Sequence, residues 1–168
     1  MVRITRVLSV GPFASPERAE TLLAAGVTHV LNVSHAASEI ISSERGFKGV
    51  AWVPMSDSHR LPFHSAIMAL DALHEMVSAP DSHVYVHCVA GLVRSPTILW
   101  LYLISLGVPW RDAREWIQKR SPMASAGSSQ MVNHEHRQLA KQHGLAKFLP
   151  LARPEVIVPY DTQGERGA

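Results

Sequence analysis

The sequence holds a single cysteine, little excess of either charge and no apolar run long enough to cross a membrane. One thiol excludes an intrachain disulfide and suits a reducing compartment. The apolar stretch "TILWLYLISLGV" falls well short of the roughly 20 residues a spanning helix needs. The N-terminal "MVRITRVLSVGPF" lacks the apolar centre of a secretory signal. Sixteen basic and fourteen acidic residues leave a net charge of only +2, so no basic stripe argues for nucleic acid or an anionic membrane. Aromatic residues make up 7%, and neither internal repeats nor low-complexity blocks are evident. These absences predict a cytoplasmic protein with no nucleic-acid or membrane partner.

What remains is globular. A chain of 168 residues, 46% of them hydrophobic, is enough for one domain with a real core. "ITRVLSVG" reads as a first strand closed by Gly11-Pro12. Ser15, Pro16 and Glu17 form a helix-start pattern, and the helix "PERAETLLAA" stops at Gly26. "VTHVLNVS" and "KGVAWVPM" are strands, separated by the polar "HAASEIISSERGF", read as a loop or short helix. Ile67, Leu70, Leu73, Met76 and Val77 recur at helical spacing within 63–77. "HVYVH" is a fourth strand, followed by a helix over 95–106 that is apolar almost all round and therefore buried. "WRDAREWIQKR" is amphipathic, and a last helix is expected to end at Gly144. The segment after Leu149 carries two glycines and several prolines and is expected to be partly loose. The chain thus divides into residues 1–149 and a tail over 150–168. Alternating strands and helices predict an α/β fold with a mainly parallel sheet and helices on both faces.

Ligands of such sheets sit beyond the carboxyl ends of the strands. Cys88 lies there, in "VYVHCVAGLVRSPTILWLYL". A strand–loop–helix turn aims loop amides and a helix N-terminus at one point, which binds anions. Ala90 and Gly91 are small enough for backbone to approach a ligand closely. Arg94 adds a planar, permanent charge that matches two phosphate oxygens. The same field lowers a thiol from about 8.5 to roughly 3.5–7.5. Taken alone, Cys88 would be a small buried hydrophobe. With His87, Gly91, Arg94 and Ser95 at these spacings it becomes a candidate nucleophile for phosphoryl transfer.

The stretch "HCVAGLVRS" resembles the phosphate-binding loop of the cysteine-dependent protein tyrosine phosphatases, His-Cys-x5-Arg-Ser. The Ala-Gly pair, the modest length and "GPFASPERAETLLAAGVTHVLNVS" are similar to the dual-specificity branch. The resemblance implies a central, mainly parallel sheet of four to five strands flanked by helices. It implies Cys88 as nucleophile, Arg94 on the phosphoryl oxygens, Ser95 assisting departure of the thiolate, and His87 orienting the loop. Val89, Ala90, Gly91, Leu92 and Val93 would complete the substrate-binding loop with Arg94. The leaving group needs a proton donor; the family's aspartate corresponds to Asp57, thirty-one residues before Cys88. A loop near the last helix that often reads Pro-Asn in relatives is replaced by "SPMASAGSSQMVNHEH", leaving Ser121, Ser125 and Asn133 as candidates to support the phosphate loop. Arsenate reductase-like enzymes share Cys-x5-Arg but place it near the N-terminus.

No cofactor is implied. His134 and His136, two apart on a helix, point to different faces and suggest no metal. The expected ligands are a phosphoprotein or phosphopeptide, with phosphate, sulfate or vanadate able to occupy the loop. No residue between Cys88 and Arg94 is charged, whereas relatives acting on inositol phosphates often carry lysine there. A phosphatase of phosphotyrosine and phosphoserine/threonine is therefore expected. Alternatives are a phosphatase of a lipid, carbohydrate or nucleotide ester, and a non-catalytic phospho-binding module.

Overall fold

A computed structural model describes residues 1–40 and 46–161. Five strands, β1 (Val2–Arg3), β2 (Leu8–Gly11), β3 (His29–Asn32), β4 (Gly49–Trp52) and β5 (Val84–His87), form one sheet in the order β1-β2-β5-β3-β4. β2, β5, β3 and β4 are mutually parallel, and β1 runs antiparallel to β2. The four carboxyl ends at Gly11, Asn32, Trp52 and His87 therefore open on one edge of the sheet.

Side-chain alternation sorts the two faces. Val30 and Tyr85 pack with Ala19 and Leu22 of α1 (Pro16–Ala24) on one side. Leu31, Val84 and Val86 face the larger core on the other. That core holds α2 (Phe63–Ser78), α3 (Arg94–Ser105), α4 (Trp110–Arg120) and α5 (His134–Lys147). All twelve residues of α3 are buried, as its apolar sequence predicts. The expected mainly parallel sheet with helices on both faces is thus what the chain forms.

Several sequence expectations need correction. The first strand is a hairpin, because the Thr5 hydroxyl accepts from the Val7 and Leu8 amides and turns the chain between β1 and β2. The Ser15 side chain makes no capping bond; its carbonyl accepts from Arg18 and Ala19 instead. Gly26, at φ +88°, does end α1. Gly144, in contrast, lies inside α5, where a Cβ would come within 1.7 Å of the Ser105 carbonyl oxygen. It is a packing glycine that lets α5 press on the end of α3, not a helix stop. The end of the chain is not loose as far as Asp161. Arg153 Nη1 donates to the Val77 and Ala79 carbonyls and the Ser82 hydroxyl at 2.6–2.8 Å. It thereby caps the C-terminus of α2, where a cation is favoured. A 3-10 turn over Pro154–Ile157 buries Val156, and the Tyr160 amide donates to the Ile4 carbonyl. The expected loop or short helix over 35–47 falls partly outside the described residues. Among the described residues, no helix is long and apolar enough to cross a membrane.

Candidate active site

Each of the four parallel strands delivers a segment to the site. β5 runs directly into Cys88, and the chain then circles through Val89–Val93 into the N-terminus of α3, where Arg94 and Ser95 stand. Carbonyl groups of this loop are tied outward. His87 Nδ1 donates to the Cys88 carbonyl at 3.1 Å. The Phe13 amide, after β2, donates to the Val89 carbonyl at 2.9 Å, and the Ser125 amide donates to the Leu92 carbonyl at 2.7 Å. With those oxygens held outside, the Gly91 amide turns inward and donates to Cys88 Sγ at 3.3 Å. Such a concavity of backbone N–H groups is a cradle for an anion.

Gly91 makes the curve possible. Its φ is +77°, and a Cβ there would lie 2.4 Å from the carbonyl carbon of Gly11. Gly11 is itself held against Tyr85, whose hydroxyl donates to the Pro12 carbonyl. Gly91 of the loop thus packs directly on Gly11 at the end of the neighbouring parallel strand β2. Replacing Gly91 by alanine is expected to displace the loop by about an ångström and lower kcat/KM by about 100-fold, with the chain still folded. Steady-state kinetics beside circular dichroism checks this.

Cys88 is only 2% exposed and lies at the floor of the cradle, while Val89, Ala90 and Leu92 form an exposed rim. Burial alone pushes the thiol up. Hydrogen bonds from the Ser95 hydroxyl (3.4 Å) and from the Ser95 and Gly91 amides, together with the Arg94 charge, outweigh burial and hold it below its ordinary value. His87 is buried between Phe13, edge-on at 4.9 Å, and the stacked Tyr85 ring. Burial drops its pKa to about 4. It is therefore neutral near pH 7, and since a carbonyl only accepts, the proton sits on Nδ1.

Arg94 is also buried. Its Nη1 donates to His35 Nδ1 at 3.0 Å and to the Met55 carbonyl at 3.2 Å. Among the described residues, its Nε is buried without a partner. Since a guanidinium only donates, His35 accepts through an unprotonated Nδ1. A buried, unpaired cationic donor is costly unless a ligand fills it, so the Arg94 fork has capacity for an anion.

Asp57 is exposed in the segment between β4 and α2, two residues beyond the Met55 carbonyl that receives Arg94. The Ser56 hydroxyl and His59 Nδ1, 2.9 Å apart, close the turn around it. Of the three candidates to support the loop, Ser125 does so through its backbone amide rather than its side chain. Thr97 of α3 fixes that segment, donating to the Ser125 carbonyl at 3.0 Å and accepting from the Gly127 and Ser128 amides. Asn133 instead caps α5, its side chain accepting from Glu135 and His136. Ser121 follows α4 and takes no part in these bonds. His136 is buried and holds the Leu61 carbonyl at 2.7 Å, while His134 is exposed. Among the described residues, no group of three or more His, Cys, Asp or Glu side chains is placed to hold a metal ion.

Sequence reasoning missed His35, Phe13 and Tyr85. Phe13 and Tyr85 carry no chemical signature, and His35 gains a role only because β3 lies beside β5. Gly11 was legible only as a strand end.

Residues 13–137 match the family model for the dual specificity phosphatase catalytic domain. The chain belongs to this family. Among curated relatives, Dual specificity protein phosphatase 5 of Homo sapiens is 31% identical over 125 residues, covering 74% of this chain and 32% of the relative. Dual specificity protein phosphatase 4 of Gallus gallus is 30% identical over 170 residues, covering 99% of this chain and 42% of the relative. The chain therefore spans about a third to two-fifths of the length of the dual specificity phosphatases it matches. Two solved structures share the fold. PTPMT1 aligns with a TM-score of 0.66 at 19% identity, covering 86% of this chain and 94% of that one. Human DUSP28 aligns at 0.65 and 21% identity, covering 87% and 99%.

Proposed function

We propose that the chain is a cysteine-dependent phosphatase that hydrolyses phosphotyrosine and phosphoserine/threonine on proteins through a phosphocysteine intermediate. The observation that carries this reading is the pairing of a lowered-pKa thiol with a buried guanidinium whose Nε lacks a partner, on one anion-shaped loop. The Arg94 fork and the loop amides hold the phosphoryl oxygens. Cys88 Sγ attacks phosphorus in line, so that an S–P bond forms as the ester P–O bond breaks. Asp57, as the acid, gives its proton to the departing oxygen. Water then attacks phosphorus, Asp57 takes its proton, and the S–P electron pair returns to sulfur. The Ser95 hydroxyl, 3.4 Å away, donates to the thiolate that leaves. Inorganic phosphate departs. Charge spreads over the equatorial oxygens throughout, and fixed dipoles stabilise it without reorganising.

Protein substrates are favoured by the chemistry of the rim. Val89, Ala90 and Leu92 are exposed and uncharged, so these rim residues offer no cation to a polyphosphorylated headgroup. The similarity to dual specificity phosphatases supports phosphoserine and phosphothreonine as well as phosphotyrosine as substrates. His35 holds one arm of the Arg94 fork. The reading also places the chain in the cytoplasm.

Phosphate release from nitrophenyl phosphate, a panel of phosphopeptides and a panel of phosphoinositides tests the proposal. Turnover of the aryl ester and of phosphotyrosine and phosphothreonine peptides is expected. No turnover of any ester would overturn the catalytic reading, and a phosphoinositide preferred over every peptide would overturn the substrate class.

A further inference from the structure

Trp110, the first residue of α4, is surrounded by guanidinium groups. Arg111, Arg114 and Arg137 place theirs 4.9, 5.1 and 4.6 Å from its ring. Grooves of about 600 and 530 Å3 flank the indole. Together they are lined by five cations, Lys119 and Lys141 joining the three arginines, against one carboxylate, Glu115. Among the described residues, the carboxylate ion pairs are His143–Asp71 and Arg153–Glu155, so none of these five cations is in a direct ion pair. Like charges gathered on one ring repel, and the arrangement is relieved by an anionic guest.

The cluster also has a fixed position relative to the phosphate loop. Arg114 Nε donates to the Ala126 carbonyl at 3.0 Å, while the adjacent Ser125 amide donates to Leu92 at 2.7 Å. With about 3.5 Å of chain per residue, the Arg114 guanidinium is within roughly 13 Å of the loop. An extended peptide covers that span in about four residues, and reaches the far side of the indole in about seven.

We propose that this arginine-flanked tryptophan is a docking site for acidic residues of a protein substrate, lying about four to seven positions from the phosphorylated residue. The inference rests on the phosphatase reading for the phosphorylated residue, and on charge complementarity for the acidic ones. Leu145, 68% exposed at the end of the second groove, offers an apolar contact beyond the carboxylates. A polypeptide fits better than a nucleic acid. The indole is already stacked by arginines and offers no free face for a base, and Glu115 interrupts any continuous phosphate track.

The test uses the full chain and two readouts. First, the Trp110 indole N–H resonance, assigned with Trp110→Phe, is followed on adding a short unphosphorylated glutamate-rich peptide, its glutamine counterpart, or a single-stranded oligonucleotide of equal charge. Second, kcat/KM is measured on phosphopeptides with glutamate or glutamine at the fourth to seventh position from the phosphoresidue. The glutamate peptide is expected to move the resonance and the glutamine peptide to leave it. Glutamate phosphopeptides are expected to be favoured by about three- to tenfold, through KM. The double variant Arg111→Gln with Arg137→Gln is expected to abolish both effects and leave nitrophenyl phosphate hydrolysis unchanged. No resonance shift, a shift that persists in the double variant, or tighter binding of the oligonucleotide would overturn the docking site. A wild type inactive on every ester would defeat the phosphatase reading alone, because the resonance shift judges the site without turnover.

Discussion

Replacing Cys88 by serine is expected to lower kcat for nitrophenyl phosphate by a factor on the order of ten thousand or more, with little change in phosphate or vanadate affinity. The size follows from the division of labour in the site. On the proposed mechanism the loop amides and Arg94 bind the oxyanion, and that binding is expected to survive the substitution. Covalent capture of phosphorus is expected to be lost. Among the described residues, no hydrogen bond joins Cys88 Sγ to a general base: the neighbouring imidazole, His87, donates its Nδ1 proton to the Cys88 carbonyl. The sulfur, by contrast, is held below its ordinary pKa by the loop itself, through the Ser95 and Gly91 hydrogen bonds and the Arg94 charge. Removing a nucleophile in such a unit costs most of the chemical acceleration at once. Stopped-flow and steady-state assays, with vanadate inhibition as the binding control, measure both halves. A serine variant within tenfold of the wild type would remove Cys88 from the nucleophile's role.

Asp57→Ala is expected to act unequally on different esters. For an alkyl phosphate, such as a phosphoserine peptide, the departing alkoxide is strongly basic and needs a proton in the transition state. The loss is expected to be about 100-fold or greater, within the usual range of general acid catalysis. Nitrophenolate leaves without help, so nitrophenyl phosphate is expected to lose about tenfold or less. The position of Asp57 supports this selectivity. Its segment is anchored through the Met55 carbonyl to Arg94, and its side chain is exposed. Kinetics on a series of esters graded by leaving-group pKa measures the slope. An equal loss on both substrates would show that Asp57 is not the proton donor.

Much of this arrangement was legible in the chain because it is local. His87 through Ser95 lie on one strand, one tight loop and one helix start, so their spacing alone fixes which atoms meet. The sheet was readable for the same reason: Leu8 and Val10, Val30 and Leu31, and Val84 through Val86 alternate or run together in patterns a half-buried or fully buried strand requires. What stayed hidden is set by partners far away in sequence. His35 reaches Arg94 across 59 positions, and nothing beside His35 in the chain announces it. Gly144 looked like a helix stop because glycine commonly is one, but the Ser105 carbonyl, packed against it, needs a residue without a Cβ. The support expected from a side chain in 121–133 comes from the Ser125 backbone, and a backbone amide has no residue code. The hairpin at the start hides in a Thr5 hydroxyl, a weaker turn signal than glycine or proline. Within the candidate site, then, the residues proposed for the chemistry were readable as one local cluster, and the atoms that hold that cluster in place were not.

All of these expectations depend on sulfur being ionised at the floor of the cradle. The pH dependence of Cys88 alkylation by iodoacetamide, read by mass spectrometry on the intact protein, measures that directly, because the chain has no other thiol. The account predicts a midpoint clearly below the value of about 8.5 for an ordinary cysteine, moved upward when Ser95 is replaced by alanine. A midpoint at or above that of a free thiol, unchanged in Ser95→Ala, would contradict it.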